Sequence, residues 1–180
     1  MTRERVGVFG GSFNPPHIAH VLACVYAVDM HQLDRVLVVP AFQHPFAKAL
    51  EPYAHRVSMC ELAFAHLPRA SVSRVEEELG GESRTLRTLT HLAAQHSHWD
   101  MRLVIGADIL REAHKWFGFE EIQKLAPPLV LGRAGVSERA YLPEVSSSDV
   151  RSWIAAGDPR FEEMVTPAVR AYIATHALYR

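Results

Sequence analysis

Short apolar runs that end at glycine or proline and then give way to helical spacing leave this chain few folds to choose from. Arg5-Val-Gly-Val-Phe-Gly10 reads as a buried strand closing on two glycines, and Ile18 to His31 follows with Val21, Leu22, Val25 and Val28 on one helical face. Arg35 to Val39 repeats the strand and stops at Pro40, and after a loop rich in Pro and His, Tyr53 to His66 repeats the helix. Ser71 to Glu77 predicts a third strand, near an edge because its end is charged. Thr85 to His96 predicts a helix, and Met101 to Ile105 a buried strand ending at Gly106. Asp108 opens another helix, and Pro128 to Leu131 is a late strand. Ser147 to Ala156 and Thr166 to His176 are the final helices, with Gly157 and Pro159 breaking the chain between them. Strands without polar alternation, interleaved with helices, belong to a parallel sheet covered on both faces. The expected fold is a Rossmann-like α/β domain, one domain spanning residues 1–180. In such sheets ligands bind beyond the carboxyl ends of the strands, where strand order switches. Chemistry is therefore expected after Phe9, Val39, Ile105 and Leu131.

Composition narrows the partners. With 19 basic and 20 acidic residues the net charge is −1, which argues against a broad surface for nucleic acid or an anionic membrane. Any anion must be held by local placement. Cys24 and Cys60 lie in apolar runs and form no CxxC pair, as expected of two buried, reduced thiols. Met1 to Arg5 is charged and leads straight into a strand, without the apolar segment of a signal peptide, and no apolar run is long enough to span a bilayer. The expectation is a cytoplasmic protein; homo-oligomerisation is left open.

Three stretches carry candidate chemistry. In Gly10-Gly-Ser-Phe-Asn-Pro-Pro-His-Ile-Ala-His20, between a strand and a helix, exposed N–H groups and the helix dipole favour an anion. Gly10 and Gly11 let backbone approach a phosphate closely. The stretch is neither a P-loop nor GxGxxG. His17 and His20, at i and i+3, place two imidazoles on one face of the first turn as donors to phosphate oxygens. The competing uses of such a pair, capping or a two-His metal site, are weaker: no third ligand with zinc spacing and no general base of the HExxH kind accompanies it. In Val145-Ser-Ser-Ser-Asp-Val-Arg151 a run of hydroxyls that includes Ser147 and Ser148 stands at a helix start, with Arg151 one turn on from Ser147, which is either plain capping or a second anion cradle. Gly106-Ala-Asp108 puts a carboxylate at a strand mouth, where it could cap a helix or serve ribose or hydrated Mg²⁺.

Together these residues resemble the nucleotidyltransferase superfamily whose signatures are GxFxPxHxGH near the N-terminus and Ser-Ser-Thr/Ser-x-x-Arg near the C-terminus. Within it the chain is most similar to the bacterial nicotinate-nucleotide adenylyltransferase family. Gly106-Ala-Asp-Ile-Leu110 with His114-Lys-Trp116 is similar to its GAD-x-L…H-x-W stretch, and Ser83-Arg-Thr-Leu-Arg-Thr-Leu89 sits where it has Ser-Tyr-Thr-x-Asp-Thr-Leu. Pro167-Ala-Val-Arg-Ala-Tyr-Ile173…Leu178-Tyr179 resembles its ending. The chain departs from the pattern at Ala19, where the family has Gly, at Gln43-His-Pro-Phe-Ala-Lys48, where it has Pro-Pro-His-Lys, and at Arg84 and Arg87, in place of Tyr and Asp.

The resemblance implies adenylyl transfer from ATP to nicotinate mononucleotide, with Mg²⁺. It implies that His17, His20 and Lys48 meet the ATP phosphates, that Ser147, Ser148 and Arg151 hold the β and γ phosphates, and that Gly10, Gly11, Ser12, Phe13, Gly106 and Asp108 line the nucleotide. Trp116 would stack on the pyridine ring, a role set against that of a plain core aromatic. Backbone at Thr85 would read the ring's carboxylate. Arg84 and Arg87 add positive charge that suits an acidic substrate or simply stand in solvent. A phosphate monoester is already an anionic nucleophile, so the reaction needs positioning and charge neutralisation and no general base. The alternatives are another adenylyltransferase acting on nicotinamide mononucleotide or phosphopantetheine, and a nucleotide-binding domain without chemistry.

Overall fold

The computed structural model describes residues 3–44, 50–107, 116–132 and 142–180. Lys48, Asp108 and His114 lie outside these residues, as does the helix expected from Asp108. Five strands, β1 (Glu4–Gly11), β2 (Arg35–Pro40), β3 (Ala70–Val72), β4 (Trp99–Gly106) and β5 (Pro128–Leu131), form one sheet. Their order is β3-β2-β1-β4-β5 and every pairing is parallel. Connections from β1 run outward to β2 and β3, and the chain then returns to β4 on the other side of β1. The switch in order thus falls between β1 and β4, and their carboxyl ends, at Gly11 and Gly106, open on it.

The described helices are α1 (Ile18–Asp29), α2 (Tyr53–Phe64), α3 (Val75–Leu79), α4 (Thr85–Gln95), α5 (Phe119–Leu125), α6 (Ser147–Ala156), α7 (Phe161–Met164) and α8 (Pro167–Thr175). The two faces of the sheet carry separate cores because strand side chains alternate. Phe9, Val36, Val38 and Val104 face a core shared with α1, α2, α6 and α8, whereas Val6, Val8, Leu37, Leu103 and Ile105 face the core of α3, α4 and α5. Gly7 permits this closeness, because a Cβ there would stand 2.8 Å from Leu33 Cδ1 and 3.0 Å from Val104 Cγ2.

Two expectations are corrected. The strand expected over Ser71–Glu77 ends at Val72: Ser73 Oγ accepts the Val75 N–H at 3.2 Å, and Glu76, Glu77 and Glu78 then occupy the first turn of α3, where carboxylates suit the positive helix end. On α1 the buried stripe runs through Val21, Cys24, Ala27 and Val28, while Leu22 and Val25 are only half-buried, since small Ala23 and Ala27 let the helix sit close to the sheet. Both cysteines are buried and free, and desolvation pushes the Cys24 thiol up to about 12 and raises that of Cys60 well above its ordinary range. They are inert packing groups.

Candidate active site

A cavity of about 920 Å³ opens at the carboxyl ends of β1 and β4. One wall is the β1–α1 turn with the start of α6; the other is the start of α4 with Trp116 and Phe117. Of the expected site residues, Gly10, Gly11, Ser12, Phe13, His17, His20, Thr85, Arg84, Gly106, Trp116, Ser147, Ser148 and Arg151 all line it.

The phosphate wall is built from the inside out. Phe13 holds a positive φ of 47° and sends its ring fully into the core, edge-on to Phe9 at 5.5 Å and to His20 at 4.9 Å. Gly11 makes room for that ring, since a Cβ on Gly11 would lie 3.1 Å from Phe13 Cζ. What Phe13 offers the cavity is backbone. His17 is the N-cap of α1, with its carbonyl taking the His20 N–H at 2.9 Å. His20 reaches back, so that its Nδ1 accepts the His17 N–H at 3.1 Å, filling the place that Glu or Gln takes in a capping box. That bond also decides the tautomer: with Nδ1 accepting, the ring hydrogen resides on Nε2, making it a donor. The imidazoles lie against each other with centroids 3.8 Å apart and planes tilted by 33°, and His17 is only 4% exposed. The i, i+3 spacing therefore both builds the helix start and places two rings together.

The start of α6 docks onto the same turn. Ser146, the first hydroxyl of the run, is the N-cap and forms a capping box with Asp149. Ser147 is thereby released from capping, and its Oγ donates to the Pro15 carbonyl at 2.8 Å. Arg151 Nη1 donates to the Asn14 carbonyl at 2.7 Å and Nη2 to Ser148 Oγ at 3.1 Å. The two motifs, distant in sequence, make one cradle.

Beneath the cradle are groups that sequence reasoning missed. Asn14 is 2% exposed, and its Oδ1 accepts from the Glu51 N–H at 3.1 Å and the Tyr179 hydroxyl at 2.9 Å. Arg56, also 2% exposed, donates to the carbonyls of Glu51 (2.9 Å), Ser12 (2.9 Å) and Phe42 (3.3 Å), tying the phosphate turn to both ends of the 43–50 stretch. Burial lowers the Arg56 pKa below its usual value, yet charge-assisted bonds keep the guanidinium in place. A signal existed: Arg56 shares the buried face of α2 with Cys60, Ala63 and Phe64, where a charge needs a reason.

The opposite wall is assembled differently. Thr88 Oγ1 donates to Glu76 Oε1 at 2.5 Å and joins α4 to α3, both groups being buried. Ser83 accepts the Phe42 N–H at 2.8 Å, which fastens the loop after β2 to the segment before α4. Arg84, exposed, is paired with Glu82 through Nε at 2.9 Å. Arg87 does not line the cavity; it donates to the carbonyls of Gly80 (2.6 Å) and Leu79 (2.5 Å) at the end of α3. Its charge is thus spent on a helix terminus. Trp116 is half-buried and does both things weighed for it, packing on the α4–α5 core and lining the cavity. Among the described residues no three His, Cys, Asp or Glu side chains cluster to hold a metal, and Glu76, the one acid lining the cavity, is already bonded by Thr88. These residues do not form a cage for Mg²⁺.

The family model described as cytidylyltransferase-like matches residues 8–152, a span from the first strand to Arg151 and one residue beyond. The chain belongs to the cytidylyltransferase-like family. It is 40% identical to a probable nicotinate-nucleotide adenylyltransferase of Anaeromyxobacter dehalogenans, over 98% of this chain and 97% of that one. It is 39% identical to a protein of the same description from Myxococcus xanthus, over 97% and 94% of the two chains. By sequence the chain is thus a member of the nicotinate-nucleotide adenylyltransferases within that family. The fold is also that of a Plasmodium falciparum nicotinic acid mononucleotide adenylyltransferase solved with NaAD, with a TM-score of 0.80 at 17% identity over 98% and 97% of the chains. A putative nicotinate-nucleotide adenylyltransferase from Vibrio parahaemolyticus superposes with a TM-score of 0.79 at 22% identity, over 100% and 96%.

Proposed function

We propose that the protein transfers the adenylyl group of ATP to nicotinate mononucleotide, giving deamido-NAD and pyrophosphate, a step of NAD biosynthesis. The observation that carries this reading is the single cradle at the β1–β4 switch. There the adjoining His17 and His20, the α1 start and Arg151, held on the Asn14 carbonyl, meet in one cavity with Trp116 across from them.

In the reaction a phosphate oxygen of the mononucleotide attacks the α-phosphorus of ATP, forming one P–O bond as the bond to the bridging β-phosphate oxygen breaks. Pyrophosphate leaves with that electron pair. Bringing two anions together opposes the step, each close charge pair amounting to about 4 kcal/mol at an effective dielectric near 20. His20 Nε2–H, Arg151 and the N–H groups at the α1 start offset that repulsion, with Lys48 assigned the same part on its sequence position. Ser147 and Ser148 extend the cradle toward the β and γ phosphates. Mg²⁺, when bound, would enter on the triphosphate and neutralise it further, with Asp108 the candidate to meet it or the ribose. Trp116 stacks on the pyridine, backbone at Thr85 meets its carboxylate, and Arg84, held by Glu82, borders the same end.

A pyrophosphate-release assay with ATP and a panel of mononucleotides tests the reading. Turnover is expected to be fastest with nicotinate mononucleotide. Faster turnover with nicotinamide mononucleotide or phosphopantetheine would reassign the substrate, and ATP binding without turnover on any acceptor would leave a non-catalytic nucleotide-binding protein.

A further inference from the structure

Tyr179 is drawn into the molecule by a backbone that non-glycine residues adopt only when their surroundings hold them there. After α8 ends, Ala177 and Tyr179 have φ of 51° and 63°, on either side of the buried Leu178. The tail so wound carries the Tyr179 hydroxyl to Asn14, 165 residues away in the chain, at 2.9 Å. Packing alone would be served by phenylalanine; the hydroxyl has a specific partner.

That partner sits at the centre of the cradle. Asn14 Oδ1 receives both the Tyr179 O–H and the Glu51 N–H, which fills the two lone pairs of an amide oxygen and fixes the plane of the carboxamide. The same residue's carbonyl receives Arg151, and the next residue's carbonyl receives Ser147. An unanchored Asn14 would let Arg151 and the turn shift together. Burial raises the Tyr179 hydroxyl above its ordinary range, so it remains a donor wherever the enzyme is assayed.

We propose that Tyr179 is a positioning residue for adenylyl transfer, acting through Asn14 to set the place at which the β1–α1 turn and Arg151 meet polyphosphate. The proposal rests on the functional reading above. Tyr172 supplies the control: it lies on α8, and its hydroxyl is bonded to His55 Nδ1 at 2.9 Å, away from Asn14. Tyr179→Phe is expected to lower kcat about tenfold, the worth of one buried hydrogen bond, with little change in KM for either substrate. Tyr172→Phe should keep wild-type kcat while showing a comparable thermal midpoint. In an Asn14→Ala background the effect of Tyr179→Phe should vanish, as it must if the two act as one unit. Independently of activity, the side-chain amide resonances of Asn14 should shift in Tyr179→Phe and stay put in Tyr172→Phe. Wild-type kcat in Tyr179→Phe, or unmoved Asn14 resonances, would overturn the proposal. Failure of the wild type to release pyrophosphate with any acceptor would strike the functional reading alone, leaving the resonances to decide about Tyr179.

Discussion

The two walls of the cavity are made of different material. On the phosphate side, the buried Arg56 and the half-buried Arg151 and Ser147 bond to backbone carbonyls, most of them far off in the chain: Arg56 to Ser12, Phe42 and the nearby Glu51, Arg151 to Asn14, Ser147 to Pro15. On the opposite side, apart from the buried Thr88–Glu76 bond and the half-buried Ser83–Phe42 bond, the links are exposed and local, such as Arg84 with Glu82 and Arg87 with the α3 end, and Phe117 is left 74% exposed at the rim. A polyphosphate carries high charge that shifts during the reaction, so its site gains from donors that do not move as that charge is redistributed. A flat ring asks for shape and stacking, which exposed side chains at a rim can supply after binding. On the function proposed above, the chemistry would fall to the first wall, taken as the rigid one, and choice of acceptor to the second, taken as the adaptable one.

The sharpest way to break that contrast is His20→Ala, which removes a donor and the α1 capping bond together. It should cost roughly 10² to 10³ in kcat with the fold retained, judged by circular dichroism alongside the pyrophosphate assay. Next is Arg56→Met, which leaves three carbonyls without their donor. It should lower unfolding free energy by about 3 kcal/mol in a denaturant titration, and a loss below about 0.5 kcal/mol would show that the rigid wall does not depend on this residue.

The strands and the anion-binding turn were legible because their causes are local. Unmixed apolar runs dictate buried strands, and the His17–His20 spacing survives into a pair of rings in contact. What failed was also physical. The Ser71–Glu77 run has its two apolar residues, Val72 and Val75, three apart and not at the spacing of two that a strand face needs, and Glu76, Glu77 and Glu78 suit a helix start. The helix over Phe119–Leu125 went unread because its N-cap, Gly118, takes a left-handed φ of 69° and offers no polar capping side chain. Asn14, Arg56 and Tyr179 matter through bonds that span from 5 to 165 residues, and spacing says little about those.

The adaptable wall predicts smaller numbers. Trp116→Ala should raise KM for the mononucleotide about tenfold, the scale of one aromatic stacking contact, and leave KM for ATP nearly unchanged. An equal rise for both substrates would move the pyridine elsewhere. Arg84→Ala should change kcat/KM by no more than about threefold, since an exposed pair with Glu82 contributes little. A larger drop confined to acidic acceptors would promote Arg84 to a selector of substrate charge.

Arg56 has one more consequence. Its three hydrogen-bond acceptors are neutral carbonyls, so they orient its charge without cancelling it, and one of them belongs to Ser12 on the cavity wall. A molecule with a net charge of −1 thus keeps a positive pole directly behind the turn. That pole lies out of reach of counterions, so its pull on a bound nucleotide should fade far less with added salt than that of a surface lysine.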